Sequence, residues 1–342
     1  MKAPVGKRVL MLVENAPFPQ DRRVYQEAEA LVTAGYQIRV ICHAERGQSR
    51  RERLHGMCIY RYPAPPAAQG VQGYIWEYIY SMAATFVLSL LVLLREGFDV
   101  IHAANPPDTY FVIAVFYKML GKRFIYDHHD LAPEMYYARF GGRGSRLIFY
   151  ALVLLERLSC RLADHVIATN QSYKTVEMLR GKVPEGRITV VRNGPSERLH
   201  SVDPDPDLRK RGTTIIVFAG VIGVQDGVDY LVRAVRHLVY DLGRRDVFCV
   251  IIGKGDARAD CVALATELGL DGVVWFTGWL PEDVYLRYLC TADICVAPDP
   301  SNPFTDRSTM GKIMEYMALG KPIVAFDLPE HRITAQRAAL YV

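Results

Sequence analysis

No CxxC pair and no Cys/His metal spacing occurs in this 342-residue chain, whose seven cysteines (Cys42, Cys58, Cys160, Cys249, Cys261, Cys290 and Cys295) stand singly. That pattern excludes a disulfide framework and a structural zinc module, so the thiols are expected to be reduced. No Ser/His/Asp or Cys/His constellation signals a nucleophilic hydrolase. Near the amino terminus only five residues in a row are apolar, Val9 to Val13, before Glu14 intervenes. Five are too few for a secretory leader, and a cytoplasmic location is expected. Helix-turn-helix, zinc-finger and RNP patterns are lacking, and the basic residues do not interleave with aromatics, so no nucleic-acid partner is expected. The acidic run DPDPD at 203–207 has prolines between its aspartates and no strand or helix around it. It reads as solvated linker, and neither a metal nor any other cofactor is expected.

What is present suits a packed globular protein: half of the residues are hydrophobic and 23% are charged. The net charge of +4 hides an asymmetry, with 25 Lys and Arg against 17 Asp and Glu in residues 1–195, and 16 against 20 beyond. A basic first half is suited to an anionic membrane or a phosphorylated acceptor. Short β-rich runs alternate with helical ones. Strands are expected at Arg8–Val13, Gln37–Cys42, Val100–Ala103, Arg123–Tyr126, His165–Ala168 and Thr189–Val191. After a polar, proline-bearing stretch at 196–212 the pattern resumes with Thr214–Ala219, Phe248–Ile252, Val273–Phe276, Ile294–Ala297 and Pro322–Phe326. This is the signature of an α/β protein with two tandem doubly wound, Rossmann-like domains, 1–195 and 213–342, joined by a 196–212 linker. Ligands of such folds bind at the carboxyl ends of the strands, here in an interdomain cleft.

One segment stands apart. From Ile79 to Leu94 only Ser81, Thr85 and Ser89 interrupt sixteen otherwise apolar or aromatic residues, with Glu77 just before them. The run is too short to span a bilayer, which takes about 20 apolar residues. It reads either as a core helix or as a peripheral membrane contact over residues 74–95, with Tyr74, Trp76, Tyr78 and Tyr80 at headgroup level. Arg50, Arg51 and Arg53 lie upstream of it, where a solvated loop explains them as well as a cationic flank of that contact does.

The richest chemistry lies in DPSNPFTDRSTMGKIMEYMALGKPIVAFDLPE, residues 299–330. Ser308 or Thr309 is expected to cap a helix reaching about Leu319, stopped by Gly320. The amides of Ser308, Thr309, Met310 and Gly311 then form a phosphate site at the helix start, with Gly311 leaving the backbone open. Lys312 and Glu315, three apart, share one face. Glu315 would lie about 10 Å along the axis from the cap, a separation suiting a diphosphate at one end and a ribose diol at the other. Spacing alone also fits an ordinary helix with an exposed Lys/Glu pair.

This stretch resembles the donor motif of family 4 (group 1) retaining glycosyltransferases, and other segments follow in the family's order. They include PFPQDRRVYQEAEALVTAGYQIRVIC (17–42), FDVIHAANPPD (98–108), RFIYDHHDLAPE (123–134), ADHVIATNQS (163–172), ITVVRNG (188–194), VFAGVIGVQDGVDYLVRA (217–234), VIIGKGD (250–256) and ADICVAPDP (292–300). The resemblance covers nearly the whole chain. It implies the two-domain GT-B architecture and metal-independent transfer with retention, the nucleotide held mainly by the second domain. It places Glu315 on the donor ribose and His129 near the donor sugar, with Asp130, Asp21 and Arg22 on the acceptor side.

Departures from the family accompany the match. Where the family has a first glutamate, eight positions before Glu315, stands Arg307, and the neighbouring Asp306 is expected to take the sugar contact. Beside Gly220, the places of two customary diphosphate cations hold Val221 and Asp226. Lys312, Arg307 and Lys254 are the expected substitutes. The chain stops at AALYV, short of the family's last βα portion and crossing helix, and is read as truncated. The leading expectation is transfer from a nucleoside-diphosphate sugar, UDP-linked rather than GDP-linked, to a carbohydrate or lipid-linked acceptor in surface-polysaccharide or lipopolysaccharide assembly. The protein would work in the cytoplasm or on the inner membrane face. A sugar-nucleotide epimerase and a non-catalytic nucleotide-sugar scaffold are the alternatives.

Overall fold

The computed structural model describes residues 6–45, 47–65, 70–195 and 202–342, with the side chains of residues 70–72, 74 and 75 outside the description. Tyr74 of the expected aromatic belt therefore lies outside the described side chains. The chain forms two compact units, Met1–Pro133 with Ser145–Arg192, and Glu134–Gly144 with Asn193–Val342.

In the first unit, β1 (Arg8–Leu12), β2 (Gln37–His43), β3 (Arg51–Leu54), β4 (Met57–Tyr62), β5 (Val100–Ala104), β6 (Arg123–His128), β7 (His165–Ala168) and β8 (Ile188–Val190) form one sheet. Its order is β3-β4-β2-β1-β5-β6-β7-β8, and every pair but β3–β4 is parallel. The expected loop at Arg50–Arg53 is corrected here: Arg51 and Arg53 belong to β3, which turns at His55 and Gly56, both at positive φ, into β4. Arg51 and Arg39 both pair with Glu96 at 2.8 Å. The crossover helices are α1 (Arg22–Thr33), α2 (Gly70–Arg95), α3 (Phe111–Met119), α5 (Arg146–Leu162) and α6 (Gln171–Leu179), while α4 (Ala132–Arg139), between β6 and α5, belongs from Glu134 onward to the second unit. The β1-to-β2 step runs one way along the sheet, and the steps through α2, α3, α5 and α6 run the other. Right-handed crossovers therefore put α1 on one face and the other four on the opposite face. Val9, Met11, Val24, Ala28, Ile38 and Val40 form the core between α1 and the sheet.

The second unit begins with α7 (Pro206–Arg209), a turn inside the expected linker; residues 196–201 of that stretch lie outside the description. Asp205 caps α7 by accepting from the Asp207 and Leu208 amides at 3.0 and 2.9 Å, with Pro206 at the first helical position. Leu208 is buried in the core, and the Arg209 guanidinium forks onto Asp293 at 2.7 and 3.1 Å. This part of the stretch is thus structural, not merely solvated. There follow β9 (Thr214–Ala219), α8 (Val228–Arg236), β10 (Val247–Ile252), α9 (Arg258–Glu267), β11 (Val274–Gly278), α10 (Glu282–Thr291), β12 (Ile294–Ala297), α11 (Gly311–Ala318), β13 (Ile323–Ala325), α12 (Pro329–Ala335) and β14 (Ala339–Tyr341). The sheet is fully parallel in the order β11-β10-β9-β12-β13-β14. Strand order reverses between β1 and β5 in the first unit and between β9 and β12 in the second. Those switch points are where doubly wound sheets open a crevice.

Candidate functional site

In the second unit the site residues gather at the β9/β12 switch. Lys312, on the first turn of α11, donates to Asp299 Oδ1 at 2.7 Å, and its ammonium lies 4.6 Å from the Phe218 ring centre. Asp299 follows β12 and is fully buried. Gly220 follows β9, and a Cβ there would stand 3.3 Å from Lys312 Cε, so the glycine leaves the lysine its path. Gly311 is different: a Cβ would meet nothing within 4 Å, so the fold itself does not demand glycine there.

The expected cap is corrected. Met310 is the N-cap, and no side chain caps the helix. Ser308 Oγ instead donates to the Phe304 carbonyl at 2.8 Å, closing the turn Thr305–Arg307, and Thr309 Oγ1 donates to Glu330 Oε2 at 3.1 Å. The helix consequently starts later, and Glu315 lies about 7.5 Å from the cap, at about 1.5 Å per residue. Glu315 is nearly buried and accepts a hydrogen bond from the Tyr285 hydroxyl.

Arg307 pairs with Glu134 at 3.3 Å, and Lys254 lies exposed. Asp306 accepts from Ser301 Oγ at 3.2 Å, while its buried Oδ1 has no partner among the described residues. Sequence reading missed Asp299, Phe218 and His331. His331 is buried, donates from Nδ1 to the Phe326 carbonyl at 2.9 Å, and turns Nε2 toward Asp299 Oδ2 at 3.8 Å. Burial holds its pKa below the ordinary value, and neither Nε2 nor Asp299 Oδ2 has a hydrogen-bond partner among the described residues. The position of Asp299 just past a strand at the switch was the available signal.

Asp226 occupies one of the customary cation places but works locally. Its carboxylate accepts from the Gly223 amide at 2.9 Å and from Gln225 Nε2 at 3.1 Å. Burial raises its pKa to about 6, against the lowering effect of Lys312. A carboxyl raised in the fold favours folding fully below its unfolded pKa of about 4, and this contribution is lost as pH rises through about 6. Asp226→Asn is therefore expected to stabilise the protein by about 3 kcal/mol at pH 8 and by nothing below pH 4. Chemical denaturation at both pH values measures this; equal effects at the two would contradict it.

In the first unit, His129 follows β6. Its Nε2 bonds Asp127 Oδ2 at 2.6 Å; His102 Nε2 reaches the same oxygen at 3.1 Å, and Arg23 reaches Oδ1 at 3.0 Å. Arg23 also pairs with Glu27, four residues along α1, at 3.0 Å. Burial alone would raise the Asp127 pKa, but the His129 charge and the histidine hydrogen bonds hold it well below the carboxylate range. Burial would lower both histidines; Asp127, joined by Glu27 at His102, outweighs it, raising His129 and carrying His102 to about 10. Asn105 fixes the loop: its Oδ1 accepts from the His129 and Asp130 amides at 2.5 and 3.1 Å, and its Nδ2 donates to the Asp130 carbonyl at 2.7 Å. Asp21 caps α1, accepting from the Val24 amide at 3.0 Å, and Arg22 is exposed. Arg23 is the inward arginine, and Glu27 at i+4 was the spacing that could have shown it.

Glu27, Asp127 and His129 bring ligand-type atoms within 4.8 Å of one another. Arg23 already holds both carboxylates, and His102 adds a second cation, so an added metal ion would face resident positive charge. Glu14, just past β1 at the switch, was also missed. Burial lifts its pKa to about 7 although Ser81 Oγ donates to it at 3.1 Å. A perturbed carboxyl at a strand end is a functional candidate.

Two Rossmann-like units, each with polar groups at its switch point, make up the architecture. The chain belongs to the glycosyltransferases of family 4 and group 1: residues 20–196 match "Glycosyltransferase Family 4" and residues 213–342 match "Glycosyl transferases group 1". It is 27% identical over 306 residues to an uncharacterized glycosyltransferase of Methanocaldococcus jannaschii, spanning 87% of this chain and 73% of that one. Its fold is shared with WaaG, a glycosyltransferase involved in lipopolysaccharide biosynthesis, at a TM-score of 0.68 and 16% identity, covering 98% of this chain and 85% of WaaG. It is shared also with Anabaena HepE in complex with UDP-glucose, at a TM-score of 0.65 and 18% identity, covering 94% and 81%.

Proposed function

We propose that the protein transfers a sugar, with retention and without a metal, from a UDP-sugar to a carbohydrate or lipid-linked acceptor of surface-polysaccharide assembly. The observation that carries this reading is α11 at the β9/β12 switch. Its first-turn amides at Gly311 and Lys312 precede the helix's own hydrogen-bond ladder and suit a diphosphate. Lys312 places a cation beside them, and Glu315 offers carboxylate oxygens one turn further on. The UDP-glucose complex of HepE supports the donor class, and the role of WaaG supports the setting. Asp306, with a buried oxygen that has no partner among the described residues, suits a sugar hydroxyl, and His129 is the first unit's candidate for a sugar contact. Such transfer rests on stabilising the departing diphosphate and an oxocarbenium-like sugar rather than on a strong nucleophile.

Lys312 cannot be tested by truncation alone, because Asp299 would remain buried without its partner, at a cost of about 3 kcal/mol or more. The double variant Lys312→Met/Asp299→Asn removes both charges together. It is expected to keep uridine binding and to weaken UDP binding about tenfold or more, as the loss of a charge-assisted contact implies. Calorimetric titration with uridine, UDP and GDP reads this. Equal UDP affinity in the wild type and the double variant would remove Lys312 from the diphosphate site. Release of UDP only when acceptor is supplied would separate transfer from the epimerase and scaffold readings.

A further inference from the structure

Helix α2 is inside out. The side chains it turns toward the protein include Ser81, Thr85 and Ser89, all buried, with Ser81 donating to Glu14 and Ser89 2.7 Å from the Tyr117 hydroxyl. Those it turns outward are Trp76, Ile79, Val87, Leu91 and Leu94, at one helical face, and Leu94 is 82% exposed. Only 22% of its most apolar window is buried, so α2 is not an ordinary core helix. A soluble surface helix has the opposite arrangement, with its apolar stripe inward.

The anomaly extends beyond one helix. The Phe86 and Phe116 rings, 5.3 Å apart, join α2 to α3, and Ser159 of α5 donates to the Asp108 carbonyl ahead of α3 at 2.7 Å. α3 exposes Val112 and Met119 on this same face of the first sheet. α5 repeats the inversion: Glu156 and Ser159 are buried, while Leu147, Tyr150 and Leu154 are exposed, Leu147 at 81%. The three helices contain two acidic residues, Glu77 and Glu156, and Glu156 is fully buried against Arg180. Exposed cations, by contrast, stand at helix ends: Arg95 on α2 and Arg146 and Arg161 on α5. An apolar centre with a cationic rim and hardly any exposed acid complements an anionic lipid surface.

We propose that this face of the first unit seats in the headgroup layer of an anionic phospholipid bilayer, with α2 lying in the plane of the surface. The helix cannot cross the bilayer without dismantling the sheet, because it connects β4 to β5 and its inner hydroxyls are bonded within the unit. The proposal does not depend on the donor reading.

Flotation of the full chain with vesicles of phosphatidylglycerol and phosphatidylcholine in equal parts, against phosphatidylcholine alone, tests it. The wild type is expected to float with the anionic vesicles. Val87→Glu/Leu91→Glu should lower that partition at least tenfold. Arg146→Ala/Arg161→Ala should lower it roughly tenfold or more while leaving the weak binding to neutral vesicles unchanged. Leu147→Glu/Leu154→Glu on α5 repeats the test should the α2 variant fail to fold, and UDP titration of every variant reports an intact second unit. Absence of flotation by the wild type, or flotation undiminished in the glutamate variants, overturns the proposal. A wild-type dimer in light scattering that the glutamate variants dissociate would make the face a contact between copies, and overturns it equally.

Discussion

Asp127→Asn is expected to lower the stability of the first unit by about 3–5 kcal/mol, the usual cost of breaking a buried ion pair from one side. Asp127 is fully buried and serves Arg23, His102 and His129 together, leaving Glu27 the nearest remaining anion in that group once it is neutralised. For a unit of this size each kcal/mol shifts the melting temperature by about 2–4 °C, so a fall of roughly 10 °C is the calorimetric expectation at pH 7. The pH dependence adds a signature that simple misfolding lacks. His102 is raised from 6.5 to about 10, so its contribution is complete below pH 6.5 and lost as pH rises through about 10. The wild type should therefore weaken between pH 8 and 10.5 more steeply than the variant, whose His102 has lost its main partner. A loss under 1 kcal/mol with parallel pH profiles would mean that the cluster is effectively solvated. Transfer should fall as well, because His129 is oriented through its Nε2 bond to Asp127.

Glu315→Ala is expected to weaken UDP binding about 100-fold while leaving the melting temperature within a few degrees. Two hydroxyl hydrogen bonds to a carboxylate contribute roughly 1.5 kcal/mol each, and every 1.4 kcal/mol is tenfold in affinity. The Tyr285 hydroxyl occupies one lone-pair direction of Oε2 and restrains the carboxylate. Tyr285→Phe should cost only a few-fold for that reason. Glu315→Gln, which keeps the shape and loses the charge, should fall between the two. Titration calorimetry ranks the three variants, and UDP affinity unaltered in Glu315→Ala would place the ribose elsewhere.

The fold was legible because parallel strands buried on both faces appear as short apolar runs: Thr214–Ala219 and Ile294–Ala297 begin and end as expected. The β3–β4 hairpin was not, because RERL is charged on both sides of its pleat and owes its pairing to β4 and to Glu96, far along the chain. Within residues 299–330 the sequence predicted a helix and misjudged its start. Ser308 and Thr309 have good capping chemistry, but Phe304 and Glu330 compete for their hydroxyls, and the local sequence does not display that competition. Arg22 and Arg23 are chemically equal neighbours; the helical stripe containing Val24 and Ala28, with Glu27 at i+4 from Arg23, decides which turns inward. The clustering of Asp127, His102 and Glu27 is of the same kind, since it joins three elements spaced across a hundred residues.

The passage of Glu134–Gly144 into the second unit bears on the order of events during synthesis. When the ribosome has finished residue 192, every strand of the first sheet exists, yet the segment carrying Glu134 still lacks Arg307. At about 5–20 residues per second that arginine arrives on the order of ten seconds later. During this interval the apolar residues Tyr136, Tyr137 and Phe140 belong to a unit not yet made. That segment is therefore made with the first sheet but can settle only with the later unit to which it belongs.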